Sequence, residues 1–173
     1  PYMAQDLAGL DIAYANRKRL APTRDPNRRY VKIADRLVEA GRLGRKTGLG
    51  WYQYENGVAV TDRNVETIVL DEATRAGIDR KAYPQNEIIE RLVTAMINEG
   101  FDILNEGIAA SPTDIDLVLV HGYGYPRWRG GLMHTAYAIG LTEVLDRVRR
   151  YALEDPVLWS PSPLLECLAK NES

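Results

Sequence analysis

The longest regular pattern of hydrophobic and polar positions covers residues 86–109. At 100° per residue its apolar positions fall on one broad arc of a helix, with the polar positions mainly opposite. An arc this wide predicts a helix that packs against several neighbours. The apolar positions are Ile89, Leu92, Val93, Met96, Ile97, Gly100, Ile103, Leu104, Gly107 and Ile108, and the polar ones are Glu90, Arg91, Thr94, Asn98, Asp102 and Asn105.

A serine, a proline and an aspartate predict where the next helix begins. Ser111 is a residue of the N-cap type, Pro112 takes the first helical position and Asp114 takes the third. This arrangement suits the free N–H groups of a first turn. A short helix is therefore expected through Val120, ending at the glycine-rich residues 122–126.

Two further capping patterns follow toward the C-terminus. Thr142–Glu143 predicts the cap of another helix, and Ser162–Pro163 predicts the cap of a last short helix. The buried stripe of the first is expected to hold Val144, Leu145 and Val148, and the last helix carries Leu164, Leu165 and Leu168.

The first part of the chain also has helical patterns. Residues 11–20 and 30–40 are predicted helices separated by two prolines, and a third helix opens at Thr61 or Asp62 and ends near Gly77. A polar stretch then leads into the long helix. The predicted architecture is mainly α-helical.

A glycine-rich loop interrupts these helices. Glycines punctuate residues 41–50, and the aromatic run 51–54 is predicted to be extended. Asn56–Gly57 is a turn pair, so residues 58–60 are expected to pair back on the aromatic run as a second strand.

An internal repeat is suggested when Gly9 is aligned with Gly140. Each glycine follows a short helical stretch, precedes a leucine, and is followed by a helix that ends in basic residues. The identity is low, but the physical layout agrees. The second copy has two predicted helices before its glycine corner, whereas the first begins almost at the corner.

Composition and charge narrow the class of protein. The chain has 173 residues, 45% of them hydrophobic and 27% charged, which is typical of one globular domain or two small ones. Lys and Arg total 22 and Asp and Glu total 24, for a net charge of −2. This balance argues against non-specific nucleic-acid binding, and no apolar run approaches the roughly 20 residues of a membrane span.

The glycine-rich loop has some features of a nucleotide-binding loop. Lys46–Thr47 follows Gly44, but Arg45 intervenes and a helix, not a strand, precedes the loop. A phosphate-binding loop needs glycine directly before Lys-Ser/Thr. The segment is therefore interpreted as a structural turn rather than a nucleotide loop.

Other reactive side chains are few. His121 and His134 match no compact metal motif, and His121 is more typical of a structural histidine that donates to the backbone than of a catalytic base. The two arginines of residues 127–129 can hold a phosphate, but contact with helix carbonyls or a carboxylate is favoured. Cys167, a single cysteine, is expected to pack in the core.

Three motifs together resemble the C-terminal helical domain of L-3-hydroxyacyl-CoA dehydrogenases. Residues 43–54 read LGRKTGLGWYQY and resemble the LGxKTGxGfYxY segment that closes that domain. Pro1–Tyr2 with residues 6–11 resemble its MGPFxLxDLxGLD corner. Residues 121–131, supported by the Asn-Glu-Gly at 98–100 and the Glu-Gly at 106–107, are similar to the corner of a second helical copy in multifunctional β-oxidation enzymes.

The resemblance implies a fold and a domain order. It implies an all-α chain of tandem 3-hydroxyacyl-CoA dehydrogenase C-terminal helical domains, with a short extended hairpin near residues 50–60. Residues 1–54 are expected to be an incomplete first copy, residues 55–83 a linker with one helix, and residues 84–173 the second copy.

The resemblance also implies a reaction for the parent enzyme. Such enzymes oxidise L-3-hydroxyacyl-CoA to 3-ketoacyl-CoA with NAD, and a His base polarised by a Glu removes the hydroxyl proton. That dyad and the NAD loop belong to a Rossmann domain that this chain lacks. A further active-site Asn of the family lies in an Asn-Arg pair, whose counterpart here is Glu90–Arg91. No catalytic, cofactor-binding or metal-binding residue is therefore carried over, and the chain alone is expected to bind no cofactor and to be inactive.

The resemblance implies that this chain contributes one wall of the acyl pocket. Pro1, Tyr2, Met3 and Leu7 match the family's stretch that faces the acyl chain across from the Rossmann domain. Ordinary helix packing by the same residues is the alternative.

The expected partners follow from the same resemblance. They are the acyl-CoA substrate, the parent's Rossmann domain and a thiolase subunit, with no nucleic acid and no membrane span. Loss of the first copy's front helices is expected to expose apolar residues around Leu7, Leu10 and Ile12 and to favour self-association or an exchanged segment. A free-standing helical interaction module is the alternative function.

The chain ends suggest a fragment. It opens with Pro1 and closes without the peroxisomal Ser-Lys-Leu signal. A piece of a longer multifunctional hydratase/dehydrogenase is the simplest interpretation, and a bacterial cytoplasmic origin is favoured over a peroxisomal one.

Overall fold

A computed structural model describes residues 1–27 and 29–171 of the chain. The chain divides into two compact units, Pro1–Lys81 and Ala82–Ser173. Each unit is built mainly of helices, as the periodicity predicts, and each has its own hydrophobic core.

Among residues 1–27 and 29–81, the structure describes four α-helices and one hairpin. The elements are α1 (Tyr2–Ala8), α2 (Leu10–Leu20), α3 (Ile33–Glu39), β1 (Gln53–Glu55), β2 (Val58–Val60) and α4 (Arg63–Arg75). The core of this unit is small and centres on Leu10, Leu37 and Val65, with Trp51 packed against it.

The hairpin and the start of α4 form where the sequence predicts them. Strands β1 and β2 are antiparallel, with Tyr54 opposite Ala59, and Asn56–Gly57 makes the turn with positive φ at both residues. Asp62 caps α4 by accepting the Asn64 N–H at 2.9 Å. Of the two predicted starts, Asp62 is therefore the cap.

Two expectations for the first unit are wrong. The helix predicted from residue 30 begins only at Ile33, because residues 29–32 form no helical turn. Leu10 was expected to be exposed, but it is buried against Leu37 and Val65. Leu7 and Ile12 are exposed as expected, at 71% and 66%.

In the described part of the second unit, residues 82–171, there are five α-helices. They are α5 (Gln85–Asn105), α6 (Pro112–Gly122), α7 (Leu132–Ile139), α8 (Leu141–Ala152) and α9 (Pro163–Asn171). The side chains of its core include Ile97, Phe101, Met133, Val144, Leu145, Val148 and Leu165. The predicted buried stripe of α8 is thus confirmed.

Capping interactions set the start of two of these helices. Ser111 and Asp114 form a reciprocal capping box at the start of α6, as predicted. Asp116 of α6 then accepts the N–H groups of Met133 at 2.7 Å and His134 at 3.1 Å, in the first turn of α7. A carboxylate at this position accepts from N–H groups that have no partner within the helix. Its negative charge also interacts favourably with the helix dipole.

The long helix differs from its prediction in length and in its buried face. It ends at Asn105 rather than near residue 109, and Gly107 takes a positive φ of 71° just beyond. Thr94 and Asn98 are buried, although the pattern places them on the polar side. Asn98 is satisfied because its amide bonds the Ser160 carbonyl and the Ser162 N–H, both at 2.9 Å.

The apolar arc of α5 is therefore only partly buried. Its large side chains Ile89, Leu92 and Met96 remain exposed, and so does Ile108, just beyond the end of the helix. Part of this surface forms one side of an apolar groove of about 730 Å³ between α5 and α6.

The last two predicted caps also differ. Helix α8 begins at Leu141 with Gly140 as its N-cap, and the Thr142 hydroxyl instead donates to the Ala169 carbonyl at 3.4 Å. Ser162 precedes α9, but its Oγ is buried without a hydrogen-bond partner among the described residues.

Candidate functional site

A buried carboxylate holds the N-terminal helix to the glycine-rich loop. Asp6 of α1 is fully buried. Its Oδ1 accepts the Trp51 N–H at 2.9 Å, and its Oδ2 accepts the Tyr52 N–H at 3.1 Å and the Tyr54 hydroxyl at 3.0 Å. Three donors on one carboxylate compensate the cost of burying it.

Two glycines make this approach possible. A Cβ on Gly50 would lie 2.1 Å from Asp6 Oδ1, and a Cβ on Gly44 would lie 2.4 Å from the Asp6 carbonyl oxygen. Gly44 also has a φ of 104°, which other residues rarely adopt. The glycine-rich loop therefore has a structural role, as predicted. Its glycines at positions 44 and 50 leave room for Asp6.

The environment of Asp6 also changes the ionisation of Tyr54. Burial of the phenol, and then its hydrogen bond to Asp6, raise the pKa of Tyr54 above its usual value. The hydroxyl therefore stays protonated and keeps donating to Asp6 at neutral pH.

An aromatic contact sits beside this carboxylate. The rings of Tyr2 and Trp51 have centroids 4.4 Å apart, and the Trp51 Nε1–H donates to Gln5 Oε1 at 2.8 Å. One side of α1 is therefore held by Asp6, Gln5 and Tyr2 together.

The residues expected to face the acyl chain lie on α1 and at its start. Pro1 is the N-cap, Tyr2 stacks on Trp51, and Met3 and Leu7 stand one turn apart on an exposed face. The structure brings Met3 and Leu7 together and directs Tyr2 toward the loop. Their role in substrate binding stays a prediction.

Asp6 is the residue that sequence reasoning missed. An acid in a short helix carries no local sign that its partners lie 45 to 48 positions away. The sequence therefore holds no local signal for Asp6; in the structure Gly50 has no positive φ, so its lack of a side chain reflects the close approach of Asp6 and not a turn.

A second buried charge fixes the other side of the loop. Arg42 Nη2 lies 2.7 Å from Asp62 Oδ2, and Arg42 Nε donates to the Gly50 carbonyl at 2.8 Å. The Asn64 N–H and then Arg42 lower the pKa of Asp62, against the effect of burial. Gly50 is thus held from both sides, by Asp6 and by Arg42.

The loop does not fit a dinucleotide. After Gly44 the chain makes a single 3-10 turn, Arg45–Thr47, and then returns to Asp6, so no helix N-terminus is presented to a phosphate. Lys46 is already paired with Asp11 at 2.6 Å. Within residues 1–27 and 29–171 the sheet is limited to one two-stranded hairpin, so nothing described there resembles the NAD loop of the family.

The other reactive side chains differ from expectation. His121 is exposed, and its Nδ1 lies 3.3 Å from Arg127 Nη2 rather than on the backbone. Arg129 lies over Trp128, and in the described part of the chain neither arginine contacts a carboxylate or a carbonyl. Cys167 is exposed and does not pack in the core.

The Glu90–Arg91 pair belongs to a closed ionic network between α5 and α8. Glu90 accepts from the Tyr151 hydroxyl and from Arg150 at 2.8 Å. Arg91 pairs with Glu87 and Glu154, both at 2.9 Å. The hydrogen bond from Tyr151 is the main cause that lowers the pKa of Glu90. This pair connects α5 to α8.

The residues that the structure describes form neither a metal-binding cluster nor a membrane-spanning helix. No group of three His, Cys, Asp or Glu side chains is placed to hold a metal ion. None of the described helices combines the length and apolar character needed to cross a bilayer.

Helices joined at glycine corners, with a glycine loop closed on a carboxylate, define a mainly helical domain. The sequence profile of the family described as 3-hydroxyacyl-CoA dehydrogenase, C-terminal domain, matches residues 1–54 and 88–173. The chain belongs to this family. The resemblance drawn from residues 43–54 is therefore confirmed.

Relatives and solved structures agree with this assignment. The chain is 40% identical over 187 aligned positions to proteins named peroxisomal bifunctional enzyme from Pongo abelii and from Homo sapiens. The alignments cover 99% of the chain but 26% of each relative, so the chain spans about a quarter of their length.

Two solved structures share the fold. The dehydrogenase part of multifunctional enzyme 1 from C. elegans matches with a TM-score of 0.71 and 20% identity, over 96% of this chain and 38% of that one. The 3-hydroxybutyryl-CoA dehydrogenase of Escherichia coli K12 matches with a TM-score of 0.69 and 22% identity, over 99% and 51%.

Proposed function

We propose that the chain is the C-terminal helical part of an NAD-dependent L-3-hydroxyacyl-CoA dehydrogenase within a multifunctional hydratase/dehydrogenase. In this proposal it supplies one wall of the acyl-CoA pocket and a helical scaffold, and it is inactive alone. The substrates are L-3-hydroxyacyl-CoA thioesters, and the class of reaction is oxidation in fatty acid β-oxidation.

The observation that supports the pocket wall is the fixation of α1 by Asp6. With one side of α1 held through Asp6 and Tyr2, the exposed pair Met3 and Leu7 is presented on a rigid helix. Met3 and Leu7 are 59% and 71% exposed and lie one turn apart, so they form an apolar surface that is available for a partner to cover. An acyl chain against a second domain is such a cover.

The redox chemistry is assigned to polypeptide outside this chain. NAD, bound to a Rossmann domain, supplies the hydride acceptor. The residues described here do not fit NAD, so their part is limited to contact with the substrate and to support of the neighbouring domain.

A tandem duplication is the second element of the proposal. Gly9 has φ 99° and ψ 121°, and Gly140 has φ 95° and ψ 129°. Each joins a short helix of 7 or 8 residues to a longer one of 11 or 12. The next residues, Leu10 and Leu141, are both buried. This agreement supports two copies, an incomplete one in residues 1–54 and a fuller one in residues 84–173.

Complementation tests the function directly. The full chain is added to a protein that carries the hydratase and Rossmann portions of a bifunctional relative but ends before the counterpart of Pro1. NADH formation from L-3-hydroxybutyryl-CoA is measured at 340 nm. We expect no activity from the 173-residue chain alone and restored activity from the mixture. Activity of the chain alone, or a mixture as inactive as its parts, would contradict the proposal.

The wall residues have a matched test in the same assay. Leu7→Asp should raise the KM for a medium-chain substrate, whereas Val58→Asp, an equally exposed apolar position on the hairpin, should leave it unchanged. An equal effect of the two variants would assign Leu7 to general packing.

Two partners and a compartment complete the proposal. The exposed apolar surfaces support self-association of the chain, and a thiolase subunit is the proposed partner of the parent. The names of the relatives support a peroxisomal parent, in contrast to the bacterial cytoplasm favoured by the missing C-terminal signal. Imaging of the tagged parent protein in its own cells tests the compartment.

The apolar groove between α5 and α6 favours one alternative, a helical interaction module without catalysis. The groove is lined mainly by side chains such as Met96, Ile103 and Val118, and grooves of this kind accept amphipathic helices. A failed complementation together with stable binding of a partner helix would favour this alternative.

A further inference from the structure

Residues 127–129 form a basic aromatic turn between α6 and α7, which we call the Arg-Trp-Arg turn. It is a single 3-10 turn, in which the Arg129 N–H donates to the Pro126 carbonyl at 3.0 Å. The sequence gives its two arginines a choice between holding a phosphate and contacting helix carbonyls or a carboxylate. Among the residues that the structure describes, neither guanidinium makes the second kind of contact. Phosphate binding is the role that remains.

The three side chains of this turn are open to solvent. Trp128 is 80% exposed, which is unusual for a large aromatic side chain, and Arg127 and Arg129 are also exposed. The Arg129 guanidinium lies 4.7 Å from the centre of the Trp128 ring and covers one face of it. Because so much of the indole is exposed, its other face is available to a planar group.

Arg127 keeps most of its hydrogen-bond donors. Its Nη2 lies 3.3 Å from His121 Nδ1, and a guanidinium carries five N–H donors. This contact orients Arg127 without neutralising it, because a histidine nitrogen that accepts a hydrogen bond belongs to an uncharged ring. The Cα atoms of one 3-10 turn lie within about 6 Å of one another. Two guanidiniums without a carboxylate partner in the described part of the chain therefore flank one exposed indole.

Contacts on either side hold the Arg-Trp-Arg turn in place. Before it, the Tyr125 N–H donates to the Leu119 carbonyl at 3.0 Å, and the Tyr125 hydroxyl lies 2.9 Å from Thr135 Oγ1. After it, Gly131 packs so closely on Asp116 that a Cβ there would lie 2.2 Å from Asp116 Cγ. Both oxygens of Asp116 accept N–H groups of α7, not arginine donors. A ligand of this turn would therefore have little backbone to order.

We propose that the Arg-Trp-Arg turn binds a nucleoside phosphate that has a terminal phosphate group. The base stacks on the free face of Trp128, and the phosphate pairs with the guanidiniums that flank the ring. Stacking on an aromatic side chain is a general mode of base recognition, and a guanidinium matches phosphate oxygens. This site goes beyond the proposed function, because it requires neither the Rossmann domain nor a thioester.

Both halves of the ligand are needed to use the groups of the turn. An anion without a planar ring would leave the Trp128 indole uncovered, and a neutral base would leave both arginines without an acceptor. A terminal phosphate carries nearly two negative charges at neutral pH, which matches two cations. The net charge of the chain is −2, so the rest of the surface does not attract a long polyanion. A single nucleotide is therefore favoured over RNA.

Titration of the full chain with matched probes tests the proposal, by calorimetry and by quenching of tryptophan fluorescence. The probes are ADP, adenosine, inorganic pyrophosphate, NAD and oligoadenylate. We expect ADP to bind about tenfold more tightly than adenosine or pyrophosphate, because each of these lacks one half of the ligand. NAD should bind more weakly than ADP, since both of its phosphates are diesters.

The probes also define the results that would overturn the proposal. Equal affinities for ADP and pyrophosphate would exclude recognition of the base, and equal affinities for ADP and adenosine would exclude recognition of the phosphate. Oligoadenylate that binds far more tightly than ADP would assign the turn to RNA. Coenzyme A carries the same adenosine with a terminal phosphate on its ribose, so tighter binding of coenzyme A than of ADP would support the site and identify the source of its ligand.

Three variants locate the site. Trp128→Leu removes the stacking surface and should weaken ADP binding about tenfold. Arg127→Gln and Arg129→Gln should each weaken ADP binding about three- to tenfold and leave adenosine binding unchanged. Arg149→Gln makes the same charge change on α8, where the guanidinium is already paired with Glu166 at 2.8 Å, and should leave ADP binding unchanged. Circular dichroism confirms that each variant is folded.

The fluorescence signal and the variants separate this site from other sites and from the dehydrogenase role. Trp159 is buried and Trp51 is partly buried, so quenching by ADP should come from Trp128 and disappear in Trp128→Leu. ADP affinity that is unchanged in all three variants would reject the site. Because no dehydrogenase partner is present in the titration, failed complementation leaves this result intact, and the reverse also holds.

Discussion

Asp6 occupies the space that any side chain at Gly50 would need: a Cβ at position 50 would lie 2.1 Å from Asp6 Oδ1. Gly50→Ala should therefore break the contact between α1 and residues 51–54. We expect a loss of about 2–3 kcal/mol in the free energy of unfolding, which is typical of overpacking with a lost buried hydrogen bond. Urea unfolding of the full chain measures it.

Gly122→Ala is the matched control for this substitution. No atom lies within 4 Å of a Cβ there, and the backbone has no positive φ. Alanine is the better helix former, so the control should be neutral or slightly stabilising. Equal losses at both positions would show that the close approach of Asp6 to Gly50 does not limit stability.

The three donors to Asp6 should contribute unequally. Tyr54→Phe removes one neutral donor and should cost about 1 kcal/mol, whereas Asp6→Asn weakens all three bonds and should cost about 2–3 kcal/mol. Hydrogen exchange of the Trp51 and Tyr52 amides gives a direct measurement. Asp6→Asn should speed exchange at both amides, and exchange that stays slow would contradict the assigned partners.

The two glycine corners should respond alike to alanine. Gly140 has a positive φ and free space around its Cβ position, so Gly140→Ala measures backbone strain alone and should cost about 1–3 kcal/mol. Gly9→Ala should cost at least as much, because its Cβ would also lie 2.9 Å from Asp11 Oδ1. Thermal unfolding of both variants tests this, and a neutral Gly140→Ala would contradict the corner geometry.

The ionic network of α5 and α8 predicts a loss of stability in acid. The pKa of Glu90 is lowered in the folded chain, chiefly by the Tyr151 hydroxyl. Its contribution is therefore full above the usual glutamate value of about 4.3 and is lost as the pH falls through the lower, folded value. Urea midpoints measured from pH 7 to pH 3 should fall less steeply in Glu90→Gln than in the unaltered chain.

A matched substitution separates Glu90 from general acid effects. Glu143 lies on α8 and pairs with Arg147 at 2.7 Å, but its side chain is about half exposed. Glu143→Gln should leave the slope with pH nearly unchanged, since exposed pairs contribute little. Identical slopes for Glu90→Gln and the unaltered chain would contradict the network's role.

Self-association should depend on the groove between α5 and α6. Met96→Lys and Val118→Lys place charges in that apolar surface, so they should shift the chain toward monomer in light scattering after size exclusion. Leu153→Lys is the control, since Leu153 is 88% exposed but lies outside the groove. A chain that is monomeric before any substitution would contradict self-association.

Local signals explain what the sequence predicts well. Ser111 and Asp114 form the capping box, and Asn56–Gly57 forms the hairpin turn, because each depends on residues within a few positions. The family motif at residues 43–54 carried the assignment of the fold for the same reason, since it is a contiguous pattern.

Contacts between distant residues explain what it predicts poorly. Thr94 and Asn98 look polar in any helical pattern, and only the Ser160–Ser162 segment makes the burial of Asn98 favourable. Leu10 looked unpartnered because its neighbours Leu37 and Val65 lie far along the chain. Asp6 is a further example, because its carboxylate accepts from groups more than forty residues away along the chain.

The bond from Tyr52 to Asp6 spans 46 positions, so the first helix of the chain cannot settle when it is made. At roughly 5–20 residues per second, a ribosome needs about 2–9 seconds to synthesise the segment whose amides donate to this carboxylate. During that interval Asp6 has no amide donors from residues 51 and 52, and α1 is not yet bound to that segment. Docking of this helix is therefore timed by the arrival of the aromatic run.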